Sequence, residues 1–499
     1  MTFSLDLPTS EPPAIVNLWR FFLRDQPSAE ANEVITSIDL RVLMNSTMLS
    51  IRPCYPKLFD VISSLAAHPG KRSGALIIGT PGTGKKTFLI YCLRRLASFK
   101  PVPTVYFESQ HFRSAWLLRP NGTYSTFPSG QGVPSEVSES SYYLYEPASD
   151  QSGGPAGSQA FTIIASPPNP KHYGEFHHRR RPQTLYMPTW SKDELIHFAI
   201  QKGLSQDKIL AQFDLCGGSL RWILDEPFAS RYALDSALSK ADPANLRDLV
   251  VAIEYSHILF HMMASDDFKS FNPVFASKYV RDSILKKTTD PAHRLQRLAD
   301  FFNGLLSVPG SESMQGHTLA EIGQTVLSHP LRSFSIRKIG SPSGGTMLDI
   351  PAEIKRCEFK SLALIQLPAA VPSYFIPDEP NLGAIDSLMI GTDGNICFFQ
   401  TTVSVDHGID FNQLDKHLDW LRAAQPSQAT VRLYFVVHQE IFDLMPKQAF
   451  DLKSFTKAVN DDGLIKNKAE YINQRILRAE SIVEQWVLCI NTNDIGEET

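Results

Sequence analysis

Residues 79–85 of this 499-residue chain read Gly79-Thr80-Pro81-Gly82-Thr83-Gly84-Lys85. A glycine-spaced run that ends on lysine constrains the fold more than any other stretch of the sequence. It works only where a buried strand ends and a helix begins, so that backbone N–H groups and the helix start converge on an anion. The flanks supply that setting. Residues 75–78 are an apolar run suited to a buried parallel strand. After the loop, Phe88, Leu89, Cys92, Leu93 and Leu96 recur at helical spacing, until Pro101 stops the helix. The pattern G-x-x-x-x-G-K predicts a phosphate loop for a nucleoside triphosphate, ATP or GTP, with Lys85 as the cation for the β and γ phosphates.

Further strands are predicted over residues 104–107, 142–146, 161–165 and 184–187, and a hairpin over 111–127 turning at Asn121-Gly122. Strands separated by helices or long crossings predict an α/β fold with a doubly wound parallel sheet. Two positions depart from the usual phosphate-loop chemistry. Lys86 stands where Ser or Thr normally holds Mg²⁺, and Thr87 is one residue too late, rotated about 100° around the helix. The strand 142–146 ends on Glu146, where an Asp is usual. Glu146 is the candidate to orient Mg²⁺ or an attacking water, against the plainer reading of a solvated strand-end carboxylate. Nucleotide binding is therefore expected, and Lys86 leaves hydrolysis open.

Residues 1–49 read as a polar, irregular segment around an apolar run at 16–23, with no role assigned. Residues 50–190 read as the nucleotide-binding core, and 191–304 as a helical lid. The lid opens on a Ser191/Glu194 capping box and breaks at Gly217-Gly218. Residues 305–490 read as a second α/β region. The net charge of −4 gives no global basic field, so contact with nucleic acid has to come from local patches. Lys171, His172 and the run His177-His178-Arg179-Arg180-Arg181 form the main one, a candidate phosphate contact, finger in trans or nuclear address, against a solvated loop. Six cysteines without a C-x-x-C pair support neither a zinc site nor a redox pair. No secretory signal and no membrane-spanning run is predicted, so an intracellular place is expected.

Several runs occur in a characteristic order: Arg52-Pro53-Cys54-Tyr55, the loop at 79–85, Ser166-Pro167, Tyr186-Met187-Pro188-Thr189-Trp190-Ser191 with Glu194-Leu195, and Gly217-Gly218 followed by Arg221. Together they resemble the NTPase of Crinkler effectors and of retrotransposon hot spot proteins, over residues 49–224 and more thinly to about residue 450. The resemblance implies an AAA-like or STAND-like P-loop NTPase with a parallel five-stranded sheet and helical lid. It also implies self-association through that module, a restriction-endonuclease-like domain after it, and action in a nucleus, often that of a host cell. It makes Ser166 a sensor and Arg221 the lid arginine that touches the γ-phosphate. No stretch matches the N-terminal translocation header of Crinkler effectors.

A PD-(D/E)XK nuclease holds Mg²⁺ with an acid on one strand of a hairpin, an acid or Gln on its partner, and a Glu from an earlier helix, while a Lys assists attack. Here the hairpin is 384–390 with 395–403, and the candidates are Asp386, Gln400, Thr402 in place of the Lys, and Glu321 as the helical acid. A three-residue loop with Gly394 left-handed pairs positions summing to 786 and sets Asp386 opposite Gln400. A two-residue turn sets them on opposite faces. Thr402 brings no cation, and Lys416 is the nearest candidate to replace it. Two functions stay open: a nucleotide-driven enzyme that cuts DNA, or a degenerate NTPase whose nucleotide state controls binding to DNA or protein without cleavage.

Overall fold

The computed structural model describes residues 11–495 except 28, 45, 68–73, 149–153, 226, 242–257, 287–290, 342–345, 366–368, 370, 378–382, 394, 426–429, 462–464, 466 and 494. The chain divides into two compact units, one of Met1–Asp242 and Asp248–Ile284, the other of Pro243–Arg247 and Leu285–Thr499.

The first unit begins with α1 (Ala14–Asp25), β1 (Val34–Thr36), α2 (Asp39–Met44), β2 (Met48–Ser50) and α3 (Cys54–Ala67). Then come β3 (Gly74–Ile78), α4 (Lys85–Ala97), β4 (Val105–Ser109), the hairpin β5 (Ser114–Leu118) and β6 (Tyr124–Pro128), β7 (Tyr142–Glu146), β8 (Phe161–Ala165), α5 (Gly174–Arg180) and β9 (Gln183–Tyr186). The sheet runs β6-β5-β4-β7-β8-β3-β9. From β4 to β9 neighbouring strands are parallel, and the β5–β6 hairpin adds antiparallel strands at the β4 edge. The parallel core therefore has the five strands expected, and the hairpin extends the sheet to seven. The β3 strand is buried at every position, as a central strand covered on both faces must be. Because the core is parallel, the ends of β3, β7, β8 and β9 open onto one edge, where α/β sheets place ligands.

The N-terminal segment corrects the expectation of irregular chain. Helix α1 buries Ile15, Val16, Leu18, Trp19 and Phe22 in the same core as α3 and α4. Trp19 Nε1 donates to the Arg119 carbonyl at 2.8 Å, and Arg20 Nε to that of Gly122 at 3.0 Å, fixing α1 on the β5–β6 turn. Elements as short as β1, α2 and β2 carry too few residues to show a period, so their apolar residues (Ile35, Leu40, Leu43, Leu49) read as scattered.

The lid is likewise not all helix. Helices α6 (Lys192–Lys202), α7 (Gln206–Cys216), α8 (Leu220–Leu224) and α9 (Pro227–Lys240) are followed by an antiparallel hairpin, β10 (Phe260–Ala264) with β11 (Phe271–Phe275). The capping box at the start of α6 is formed, and Gly217 caps α7. The hairpin is tied to the main sheet, since Tyr186 N–H donates to the Phe268 carbonyl at 2.7 Å.

The second unit carries α10 (Pro291–Leu305), α11 (Glu312–Leu327) and a mixed sheet of eight strands. Its strands are β12 (Ser333–Lys338), β13 (Thr346–Asp349), β14 (Lys355–Phe359), β15 (Ser373–Pro377), β16 (Ser387–Ile390), β17 (Ile396–Thr401), β18 (Val431–His438) and β19 (Val483–Ile490), in the order β13-β12-β19-β18-β17-β16-β15-β14. Helices α12 (Phe411–Ala424), α13 (Lys453–Asp461) and α14 (Lys468–Ile482) cover one face, packing Leu414, Leu418, Phe455 and Ala479 on Leu388, Phe398, Leu433 and Phe435. On the other face α11 approaches through Gly323, where an added Cβ would lie 3.4 Å from Val436 and from Ile490 and 3.9 Å from Thr401. Among the described residues, no helix is long and apolar enough to cross a membrane.

Trp19→Ala is expected to destabilise the first unit by about 3–5 kcal/mol, the usual cost of emptying a large buried aromatic site. Denaturant unfolding followed by circular dichroism checks this; an unchanged midpoint would mean that α1 is not part of the core.

Candidate functional site

The loop between β3 and α4 is held in shape by contacts at nearly every residue. Gly82 and Gly84 have φ of 86° and 91°, a left-handed conformation that favours glycine. Neither has room for a side chain: a Cβ on Gly82 would lie 2.5 Å from Ser219 Oγ, and one on Gly84 2.4 Å from the Tyr55 hydroxyl. The Tyr55 hydroxyl donates to the Gly84 carbonyl at 2.8 Å. Thr83 Oγ1 donates to the Thr80 carbonyl at 2.9 Å, and Thr80 Oγ1 accepts the Met262 N–H at 3.1 Å. From the lid, Ser219 Oγ donates to the Pro81 carbonyl at 2.7 Å and Leu220 N–H to that of Gly82 at 3.2 Å. These last bonds bring Arg221, an exposed residue of α8, beside the loop.

Lys85 is only 9% exposed. Its ammonium donates to the carbonyls of Gly79 at 2.7 Å and Thr80 at 2.9 Å. Burial, with the nearby Arg221 charge as the second cause, lowers its pKa to about 7. A buried cation held by two carbonyl dipoles, at a helix start and beside a second cation, is set up to receive an anion.

Lys86 Nζ lies 3.1 Å from Glu146 Oε1 and 4.7 Å from the centroid of the Phe112 ring. Glu146 Oε2 accepts the Ser109 hydroxyl at 2.7 Å. Glu146 is buried, so its carboxylate is not the solvated strand end of the plainer reading. Ser166 is buried at the same edge, its N–H bonded to Ile77 O at 2.9 Å and its hydroxyl to Pro167 O at 2.8 Å.

Sequence reasoning assigned no role to Arg52. Its guanidinium is buried, 2% exposed, with every N–H engaged. Nε and Nη2 each donate to Glu194 at 3.0 Å, Nη1 to the carbonyls of Thr83 and Pro188 at 2.7 and 2.9 Å, and Nη2 to that of Thr189 at 2.9 Å. The Trp190 ring lies beneath it, 4.5 Å from centroid to Cζ. The signal was present in the paired runs at Arg52 and at 186–194, but only the fold shows that they meet.

The basic run does not join this site within the chain. Residues 177–181 close α5 and lead into the start of β9. Since β9 and β3 are parallel, that start lies at the sheet edge opposite the loop. Arg179 pairs with Glu175 at 2.6 Å on the exposed side of α5.

In the second unit the β16–β17 register is the one that a three-residue loop gives, with Ser387 facing Phe399 and Ile390 facing Ile396; Gly394 itself lies outside the described residues. The candidate acids nevertheless have separate partners. The pairing slips at Asp386, whose N–H donates to Phe399 O at 2.7 Å and whose carboxylate accepts the Thr401 N–H at 2.6 Å. Burial raises the Asp386 pKa, opposed by its bonds to Thr401. Gln400 Nε2 lies 3.0 Å from His407 Nε2, while its Oε1 is buried without a hydrogen-bond partner among the described residues. Thr402 Oγ1 accepts the Ser404 N–H at 3.0 Å. Glu321 is bonded to Arg294. Strand alternation explains the separation: Thr401 faces α11, the helix of Glu321, so Gln400 points to the opposite face. Lys416 is exposed on α12.

Several of the residues that converge on the loop belong to the runs quoted from the sequence. The chain resembles Crinkler effectors. It is 25% identical over 451 residues to Crinkler effector protein 15 of Phytophthora infestans, covering 84% of this chain and 67% of that protein. It is 24% identical over 450 residues to Crinkler effector protein 16 of the same organism, with the same shares covered. No family model matches the chain. The likeness to the Crinkler proteins spans most of the sequence, so it is not confined to the loop.

The low pKa of Lys85 has a measurable consequence. An anion raises it again, so binding takes up a proton wherever the pH lies between about 7 and the bound value. Affinity for an anion seated on Lys85 should be flat below about pH 7 and fall above it, by up to about tenfold per unit. Calorimetry at about pH 8.5 in buffers of different ionisation heat should show close to one proton taken up. Zero uptake would contradict the buried-cation description.

Proposed function

We propose that the first unit binds a nucleoside triphosphate, ATP or GTP, on the loop at Gly79–Lys85, and that the chain works as a nucleotide-controlled binding module of the Crinkler kind. The carrying observation is the Lys85 ammonium, buried against the loop's own carbonyls at the start of α4. Two features support it: the parallel strand order, which opens the ends of β3, β7 and β8 onto one edge, and the bonding of the α7–α8 junction to the loop. That bonding gives a lid arginine, Arg221, access to a bound phosphate, and with it a way for the lid to register the nucleotide.

The second unit is assigned binding of DNA or a protein rather than cleavage. Its candidate acids have separate partners, its helical acid is bonded to an arginine on the other side of the sheet, and Thr402 supplies no cation for phosphodiester attack. The relatives are named effectors; by that likeness the same assignment extends to action inside a host cell, in the nucleus.

Lys85→Ala is expected to lower ATP or GTP affinity by at least about tenfold in calorimetry, the loss of one charge-assisted contact. Unchanged affinity would overturn the phosphate-loop reading. Incubation of supercoiled DNA with Mg²⁺ should leave it uncut, and Asp386→Ala should change nothing. Nicking that Asp386→Ala removes would restore the nuclease reading.

A further inference from the structure

A phosphate loop ordinarily holds Mg²⁺ between a hydroxyl on the residue after the lysine and a carboxylate at a neighbouring strand end. The residues at these positions do not fit that ion. The hydroxyl is replaced by the Lys86 ammonium. The carboxylate, Glu146, has one oxygen on that ammonium at 3.1 Å and the other on the Ser109 hydroxyl at 2.7 Å. The neighbouring hydroxyl, Thr87, is one residue further along α4, rotated about 100° from the position of Lys86. Mg²⁺ needs oxygen ligands at close range in near-octahedral geometry and gives up its water reluctantly. The site has lost one such ligand, committed the other, and added a positive charge that repels the ion.

Lys86 is also placed to do something. Glu146 on one side and the Phe112 ring on the other hold the ammonium in position. Its side chain remains 33% exposed, so it can meet a ligand. It sits in the first turn of α4, directly after the lysine that marks the phosphate position.

We propose that Lys86 is a tethered cation standing in for the metal, so that this loop binds metal-free nucleoside di- or triphosphates and needs no divalent ion. The proposal rests on the phosphate-loop reading and specifies the ionic form of its ligand. Lys85 and Lys86 together supply positive charge that most such loops share between one lysine and Mg²⁺. A lysine is a compact point charge with rotatable donors, suited to phosphate oxygens. It cannot release and rebind as an ion does, so the charge of the site does not follow cellular Mg²⁺.

The test is titration of the full chain with ATP, in EDTA and in millimolar Mg²⁺. Wild-type affinity should be equal or tighter in EDTA. Lys86→Ser should bind metal-free ATP about tenfold more weakly, through loss of a charge-assisted contact, and recover in Mg²⁺. Paramagnetic Mn²⁺ should enter with nucleotide in Lys86→Ser and not in wild type. Lys86→Arg keeps a cation at the position and should retain more metal-free ATP binding than Lys86→Ser. Wild-type binding that requires Mg²⁺ would overturn the proposal alone. Absence of ATP binding in both media would overturn the phosphate-loop reading with it. Equal loss of metal-free binding in Lys86→Ser and Lys86→Arg would mark Lys86 as a packing contact and would also overturn the proposal.

Discussion

The Arg52 guanidinium fixes the geometry on which the rest of the first unit depends. It lies just before α3 and bonds to the loop after β3, to the connection from β9 to α6, and to Glu194 of α6. Burying a charge so completely is tolerable only when every donor is matched, and removing one partner of such a pair typically costs about 3–5 kcal/mol. Its main partner, Glu194, also closes the capping box of α6 by accepting the Ser191 N–H at 2.8 Å. One ion pair thus sets both the curl of the loop, through the Thr83 carbonyl, and the starting point of the lid. The cost of burying these charges is offset by positional accuracy at the loop, where Gly82 and Gly84 leave no tolerance for displacement.

This convergence draws together short runs that lie far apart in sequence. Arg52 and Tyr55 reach the loop from α3, Pro188, Thr189, Trp190 and Glu194 from the other side, and Ser219 to Arg221 from the lid. Each is a piece of one polar cluster around the same few carbonyls.

The parallel core was legible because its strands are continuous apolar runs, and α4 because Phe88, Leu89, Cys92, Leu93 and Leu96 recur at helical spacing; its burial goes further and takes in every residue from Phe88 to Arg94. The β16–β17 register followed from the pairing rule of a three-residue loop and holds over Ser387–Ile390. What escaped was of two kinds. Short elements such as β1, α2 and the β10–β11 hairpin offer too few residues for a period to stand out, and the hairpin lies between helical stretches. Side-chain choices between distant elements were not legible at all. Nothing in the sequence indicates that Lys86 meets Glu146, or that Thr401 rather than Gln400 faces the helix of Glu321. Both facts depend on how two elements pack: one sets the Lys86 ammonium against Glu146, the other separates Gln400 from Glu321, which the sequence placed together.

Central to this account is that the loop at Gly79–Lys85 and the α7–α8 junction form one anion-receiving surface. Hydrogen–deuterium exchange of the full chain with and without ATP, in EDTA, addresses that directly. Slowed exchange in peptides covering 79–88 and 217–224, with the β16–β17 hairpin unchanged, is the expected result. Unchanged exchange in the loop, or protection confined to the second unit, would contradict it.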